Sequence, residues 1–315
     1  NNMTLGILED NAPVKIEKYN DGKFNLNFED NIWSLKNYGN KFLYASHNIK
    51  NKDILIRLYN NNEAFFDLGL NIDKKLDGNV KFIKFPVNLV QKVLIPYVDI
   101  NKGELTGNVS ISGTLSNPDL NGKLNLYYGG VILRKYMIEP IENITAVLFI
   151  EKNKIFVNNV NGMVQKSMVH GFGEIIFNGF KFERYSFKLD SEKVPAVVKE
   201  GPIDGKGVGY LEEFIIQSDS YSFDFIGKIL LEKGEITIAN MLGGSKNREP
   251  KTYPINVILD IKAGKNVKVD YPIINGTIKE GDILKFKYIG SEPNIYLGGI
   301  VNLKKGEINY FNRNF

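Results

Sequence analysis

Few residues in this sequence are suited to bond-making chemistry. Only two histidines occur, His47 and His170, and each stands alone among polar or small residues. A zinc site needs several ligands at set spacing, so isolated histidines read as exposed structural residues. There are no cysteines, which removes disulfides, thiolate nucleophiles and Cys-ligated metals together. No Gly-x-Ser-x-Gly elbow, Walker loop or His-Glu-x-x-His motif is present. The stretch Gly201 to Gly209 is glycine-rich, but no helical pattern follows it. A phosphate cradle is therefore not expected, and turn or bulge glycines explain the run. Carboxylates are plentiful, yet nothing in the sequence picks out a pair at glycosidase spacing. The expectation is a non-enzymatic protein with no cofactor and no metal.

Charge excludes a second class. The net charge is +4, from 40 basic and 36 acidic residues spread along 315 positions. Nucleic-acid binding needs a clustered basic patch; the nearest candidate, Lys304-Lys305, lies beside Glu307. Scattered charges of both signs read as the solvated faces of strands. No run approaches 18 apolar residues, so no transmembrane helix is expected. The start, Asn1-Asn2-Met3-Thr4, lacks a basic region followed by an apolar core. The expectation is a piece of a longer chain whose targeting segment lies upstream.

The elements that carry these residues follow a period of two. Phe24, Leu26 and Phe28 alternate with polar residues, as do Ile54, Ile56 and Leu58, and Val109 and Ile111. The same holds for Phe187 and Leu189, for Tyr221, Phe223 and Phe225, for Ile255, Val257, Leu259 and Ile261, and for Leu284, Phe286 and Tyr288. Alternation puts the apolar members of a run on one face of a sheet and leaves the other to water. Strand–helix alternation is missing, so the fold class is all-β. Turn signals are read at Asn20-Asp21-Gly22, Asp77-Gly78-Asn79, Asn161-Gly162 and Glu280-Gly281-Asp282. One stretch differs: Val87, Val90 and Leu94, with Leu89 and Val93, have helical spacing between Pro86 and Pro96. A short helix is expected over 87–95.

The chain also echoes itself. The segment from Ile229 to Asn240 matches Val301 to Asn312, each reading as strand, Lys-Gly-Glu turn, strand. A weaker copy runs from Leu124 to Val131. The copies centre on Gly129, Gly234 and Gly306, at unequal intervals, so the chain is not a strict solenoid. It reads as a sheet that grows by hairpins. The last repeat runs into Phe315, and an unpaired final strand there again points to a longer chain.

The stretch from Gly103 to Leu124 carries Gly-x-Leu-x-Gly, then Ile-x-Gly-Thr-Leu, then Asn-Pro-x-Leu-x-Gly. It resembles the TamB family, the translocation and assembly module subunits among the AsmA-like, bridge-type lipid-transfer proteins. A looser match lies at Gly290 to Gly299, and the resemblance covers roughly residues 77–315. Residues 1–76 are expected to be a β segment of the same sheet. The resemblance implies an elongated, curved, antiparallel meandering sheet rolled into an open trough, a β-taco. It implies a periplasmic location in a two-membrane bacterium, with an inner-membrane anchor outside this chain. It also implies phospholipid transport, outer-membrane protein assembly, or both, with an outer-membrane β-barrel partner met beyond Phe315.

The alternating runs then give the expected groove lining. It comprises the runs named above from Val109 onward, joined by Leu124, Leu126, Ile236, Ile238, Val301, Leu303, Ile308 and Tyr310. The helix residues Val87, Val90 and Leu94 are expected to plug it. The ligand would be a phospholipid or another acyl chain. Two other readings fit the same pattern: a chaperone-like module that adds client β-strands to its sheet edge, and a surface adhesin built as a β-solenoid.

Overall fold

A computed structural model describes residues 24–29, 31–37, 41–60, 63–90, 98–133, 138–179, 181–200, 203–219, 222–238, 255–271, 274–291, 294–310 and 313–314. Nearly all of them are strand. The elements are β1 (Phe24–Glu29), β2 (Ile32–Asn37), β3 (Lys41–Asn48), β4 (Asp53–Asn60), β5 (Glu63–Ile72), β6 (Leu76–Pro86) and β7 (Val98–Gly113). They continue with β8 (Pro118–Leu133), β9 (Ile141–Glu151), β10 (Lys154–Val164), β11 (Ser167–Asn178), β12 (Lys181–Ser191), β13 (Val194–Glu200) and β14 (Ile203–Ser218). The last are β15 (Phe223–Ile238), β16 (Ile255–Tyr271), β17 (Ile274–Ile278), β18 (Ile283–Ile289), β19 (Asn294–Gly298), β20 (Leu303–Tyr310) and β21 (Arg313–Asn314).

All 21 strands belong to one sheet, which does not close on itself. From β1 to β12 each strand pairs antiparallel with the next. β12 and β13 then lie end to end along β14. β14 and β15 form a long hairpin, and β15 pairs with β16 in parallel. β18 and β17 face the first and second halves of β16, and β19 and β20 continue outward from them. The all-β expectation holds, with one parallel joint among the described pairings.

Several local expectations are corrected. Asp77-Gly78-Asn79 and Asn161-Gly162 are not turns; they lie inside β6 and β10. A Cβ at Gly78 would stand 2.4 Å from the Gly69 carbonyl oxygen, and one at Gly162 would stand 2.7 Å from Ile141 Cγ2. These glycines answer close cross-strand approach instead of chain reversal. Glu280-Gly281 does turn, with Gly281 at φ 92°. The helix expected over 87–95 is, in its described part, a 3-10 turn at Val87–Val90; residues 91–95 lie outside the described set, as does Asn20-Asp21-Gly22.

The Lys-Gly-Glu repeats are also not hairpins, since β15 and β20 run straight through them. Gly234 pairs with Gly207, and Gly306 with Gly276. Leu231 lies over the first pair and Leu303 over the second: Cβ atoms added at Gly207 and Gly306 would stand 2.5 Å from Leu231 Cδ1 and 3.0 Å from Leu303 Cδ1. The weaker copy is built alike. Cβ atoms at Gly103 and Gly129 would lie 3.3 and 3.4 Å from Leu126 methyls. The repeated unit is thus Leu-x-x-Gly, in which a leucine roofs two glycines on adjacent strands. Each lies at or beside a register shift.

Left-handed residues bend the sheet further. Lys84 has φ 50°, Asn159 φ 52° and Glu213 φ 50°, each at an extra residue in its strand. The bulge at Lys84 faces Thr106, whose row continues through Asn125 and Val147 to Asn158. Bulges raise local twist and bend a strand. Two of them in one row make a transverse crease that helps curl the sheet into a trough.

Candidate functional site

One apolar face runs the length of the sheet. Register carries it from Leu35 to Ala45, Ile56, Leu68, Val80 and Val109. It resumes in β8–β9 with Leu124 opposite Leu148, and in β12–β14 with Phe187 opposite Ile216. Ile216 faces Phe225, Phe225 faces Val257, and Val257 faces Tyr288. All strands belong to this one sheet, so no separate sheet faces the apolar side among the described residues. Each buried cluster draws on strands that are neighbours or near-neighbours in the sheet.

Among the residues expected to line a groove, coverage varies. Val109, Ile111, Leu124, Phe223, Phe225, Ile236, Ile255, Val257, Leu259, Leu284, Phe286 and Tyr288 are buried. Leu126, Phe187, Leu189, Ile261, Val301 and Leu303 are half-buried. Tyr221 and Leu94 lie outside the described residues, and the side chains of Val90, Ile238, Ile308 and Tyr310 are likewise outside them. Val87 is buried on the apolar face, its Cγ2 2.7 Å from where a Gly103 Cβ would stand. Leu89, in the same turn, is exposed.

The face is not uniform. From β12 to β18 it is filled by its own rings. Phe223 is 0% exposed, with ring centroids 4.8 Å from Phe225 and 6.3 Å from Tyr185. Tyr185 and Phe223 sit on either side of Ser218 in the register, so their rings meet across an intervening strand. Phe187 lies over Gly173, where a Cβ would meet its Cδ1 at 2.4 Å. From β3 to β5, by contrast, the apolar residues Leu43, Ile54, Ile56, Leu58, Leu68 and Leu70 are only half-buried. No described side chain before Leu76 is fully buried.

A phenylalanine cluster lies across β5 and β6, at the edge of the half-buried stretch. Phe82 and Phe85 have centroids 5.4 Å apart, and Phe66 lies 5.5 and 5.8 Å from them. Phe65 joins at 5.9 Å from Phe85. Three residues apart, Phe82 and Phe85 would face opposite sides of a regular strand; the extra residue at Lys84 puts them on one side. Sequence alternation could not reveal this cluster, because it depends on the bulge. The open stretch is partly legible in the sequence, since Ile54, Ile56 and Leu58 alternate.

The other face is polar. It carries the ion pairs Arg57–Asp67 at 3.2 Å and Glu213 with Lys188 and Lys228 at 3.3 and 3.0 Å. Lys228 first, then Lys188, holds the Glu213 carboxyl below its ordinary pKa. A shallow depression of about 450 Å³ interrupts this face between Lys123, Phe149, Asn158 and Phe172. His170 is on this side too, its Nδ1 2.9 Å from Asn161 Oδ1. Among the described residues no cluster of three or more His, Asp or Glu side chains could hold a metal ion. No described helix is long and apolar enough to cross a membrane. No family model matches the chain, and neither a curated protein nor a solved structure matches it.

Proposed function

We propose that this chain is a segment of a periplasmic bridge protein whose apolar groove carries phospholipid acyl chains between two membranes. The observation that carries this reading is the continuous apolar face of a single unclosed sheet. A sheet with one greasy side must cover it. Here neighbouring side chains cover one stretch, and β3 to β5 are left half-covered. Acyl chains suit such a surface, because burial contributes about 0.8 kcal/mol per CH₂ without directional demands. A chain moved by one strand exchanges like contacts for like, which permits sliding. In this reading the protein resides in the envelope of a two-membrane bacterium, held to the inner membrane by a segment outside this chain. An outer-membrane β-barrel partner would be met beyond Phe315, in support of outer-membrane protein assembly.

The test is direct. The purified chain is extracted with organic solvent and its phospholipid quantified by mass spectrometry against a β-sheet protein purified in parallel. Stoichiometric phospholipid on this chain alone is expected; equal trace amounts on both would overturn the reading. The chaperone-like alternative has one observation in its favour. Among the described residues β19 pairs only with β18, and Tyr296, Leu297 and Ile300 beside that edge are exposed. It predicts binding of extended β-strand peptides without bound lipid.

A further inference from the structure

The β10–β11 hairpin turns at Gln165 and Lys166, with Val164 opposite Ser167. Val164 and Val169 are buried. Alternation therefore sends Met163, Met168 and His170 to the outer face of the sheet, and all three are exposed. Met163 stands directly opposite Met168, and Asn161 directly opposite His170. Opposed residues have Cβ atoms about 5 Å apart and diagonal ones about 7–8 Å, within reach of long side chains. His170 has no second histidine beside it, but two thioethers stand there instead. The sequence has only 5 methionines and 2 histidines, so their meeting on one hairpin is a concentration of soft and nitrogen ligands.

The His170 ring is held in one tautomer. Asn161 Nδ2 donates to the Asn159 carbonyl at 2.9 Å, which turns Asn161 Oδ1 toward His170. That oxygen can only accept, so His170 Nδ1 carries the hydrogen across the 2.9 Å contact. Nε2 keeps its lone pair, and the ring makes no other hydrogen bond among the described residues. Metal-binding histidines are oriented in this way, with the second ring nitrogen donating to an oxygen. The nearest carboxylates are already engaged. Glu142, opposite Met163, pairs with Lys102 at 2.8 Å, and Asp190, opposite His170, accepts from the Glu213 amide at 2.7 Å. Two thioethers and one imidazole nitrogen are left, a soft and uncharged set.

We propose that Met163, Met168 and His170 form a copper(I) site, with both Sγ atoms and Nε2 as ligands. Thioether sulfur and imidazole both suit this soft ion, whereas magnesium and calcium take oxygen ligands. Zinc takes thiolate, imidazole and carboxylate, and a thioether offers it no charge. Asn161 is a positioning residue that acts through the His170 tautomer. The site lies on the outer face, away from the groove, and is independent of the lipid-carrying reading.

The whole chain is titrated without oxygen against copper(I) held by bicinchoninate, whose colour is lost as the metal moves to the protein. Transfer of one equivalent is expected, with shifts in two of the 5 methionine methyl signals in a 13C-methyl spectrum. Met163→Leu with Met168→Leu should abolish transfer. Leucine is close to methionine in volume and both side chains are exposed, so the melting temperature should not move. His170→Gln should also abolish transfer, and His47→Gln should leave it unchanged. Asn161→Ala should weaken binding by about tenfold to a hundredfold while the same two methyl signals still shift at saturation, the mark of a lost orienting partner. No transfer to the native chain overturns the site. Transfer that survives the paired methionine change overturns its location, and zinc(II) bound as tightly as copper(I) overturns thioether ligation.

Discussion

β4 and β18 are strands of 8 and 7 residues in the same sheet, yet they stand in different surroundings. In β18 Leu284, Phe286 and Tyr288 are buried, while Ile283, Lys285 and Lys287 between them are exposed. In β4 all residues from Ile54 to Tyr59 are half-buried, whichever face they occupy. Both strands alternate in sequence. The difference lies in what stands beside them. β18 packs against Val257 and Leu259 of β16, which lean on Phe225 and Phe223 of β15. On its apolar face β4 has Leu43 and Ala45 on one side and Phe66, Leu68 and Leu70 on the other. Phe286 and Tyr288 of β18 join a buried cluster with Phe223 and Phe225, whereas no side chain of β4 is fully buried.

The comparison predicts a stability gradient. The largest expected difference is in amide hydrogen exchange. Protected amides of β15 and β16 should exchange about a hundredfold or more slowly than those of β4 and β5, because local opening is easier where little is buried. Equal protection would break the distinction between filled and open stretches. Next come core truncations. Phe223→Ala should cost about 3–5 kcal/mol in urea denaturation, from lost burial plus the cavity left behind. Ile56→Ala should cost about 1 kcal/mol, since solvent already reaches that side chain. If both cost the same, β4 has a cover that the sheet itself does not provide.

A smaller effect concerns the roofed glycine pairs. A Cβ at Gly276 would stand 2.5 Å from the Lys305 carbonyl oxygen and 2.7 Å from Gly306 Cα. Both obstacles are backbone, so Gly276→Ala should destabilise by about 1–3 kcal/mol through forced separation of β17 and β20. Gly69→Ala, where nothing lies within 4 Å, serves as the neutral counterpart by thermal melting. The smallest effect is acid-dependent. The Glu213 carboxyl is lowered by Lys228 and Lys188. Its stabilising pairings are complete above the unfolded-state value and are lost as pH falls through the lowered folded value. Glu213→Gln should flatten the acid limb of a pH–melting profile slightly, because the group is fully exposed and screened by solvent.

Much of this was legible from residue order. Alternation assigned the faces of Val257, Phe286 and Tyr288 correctly, since side-chain direction along a strand is a local property of the backbone. The repeats around Gly129, Gly234 and Gly306 were visible, but their meaning was not. Read locally, Lys-Gly-Glu is turn chemistry; in the sheet, the glycine serves a leucine three residues before it and a second glycine on the next strand. That partner, at Gly103, Gly207 or Gly276, is fixed by register alone. The same holds for Asp77-Gly78-Asn79, where the constraint is the Gly69 carbonyl on the adjacent strand. Contacts across strands join residues far apart in order, so single-sequence patterns do not contain them.

By itself, the sequence determined an all-β chain with one apolar and one polar face, and few groups able to do covalent chemistry. Those properties follow from residue type and from a period of two. The tertiary structure decided the parallel joint between β15 and β16, the bulges at Lys84 and Asn159, and the division of the apolar face into a filled and an open stretch. Coverage of a side chain depends on the bulk of its neighbours two strands away, and that neighbourhood exists only once the sheet is paired and curled.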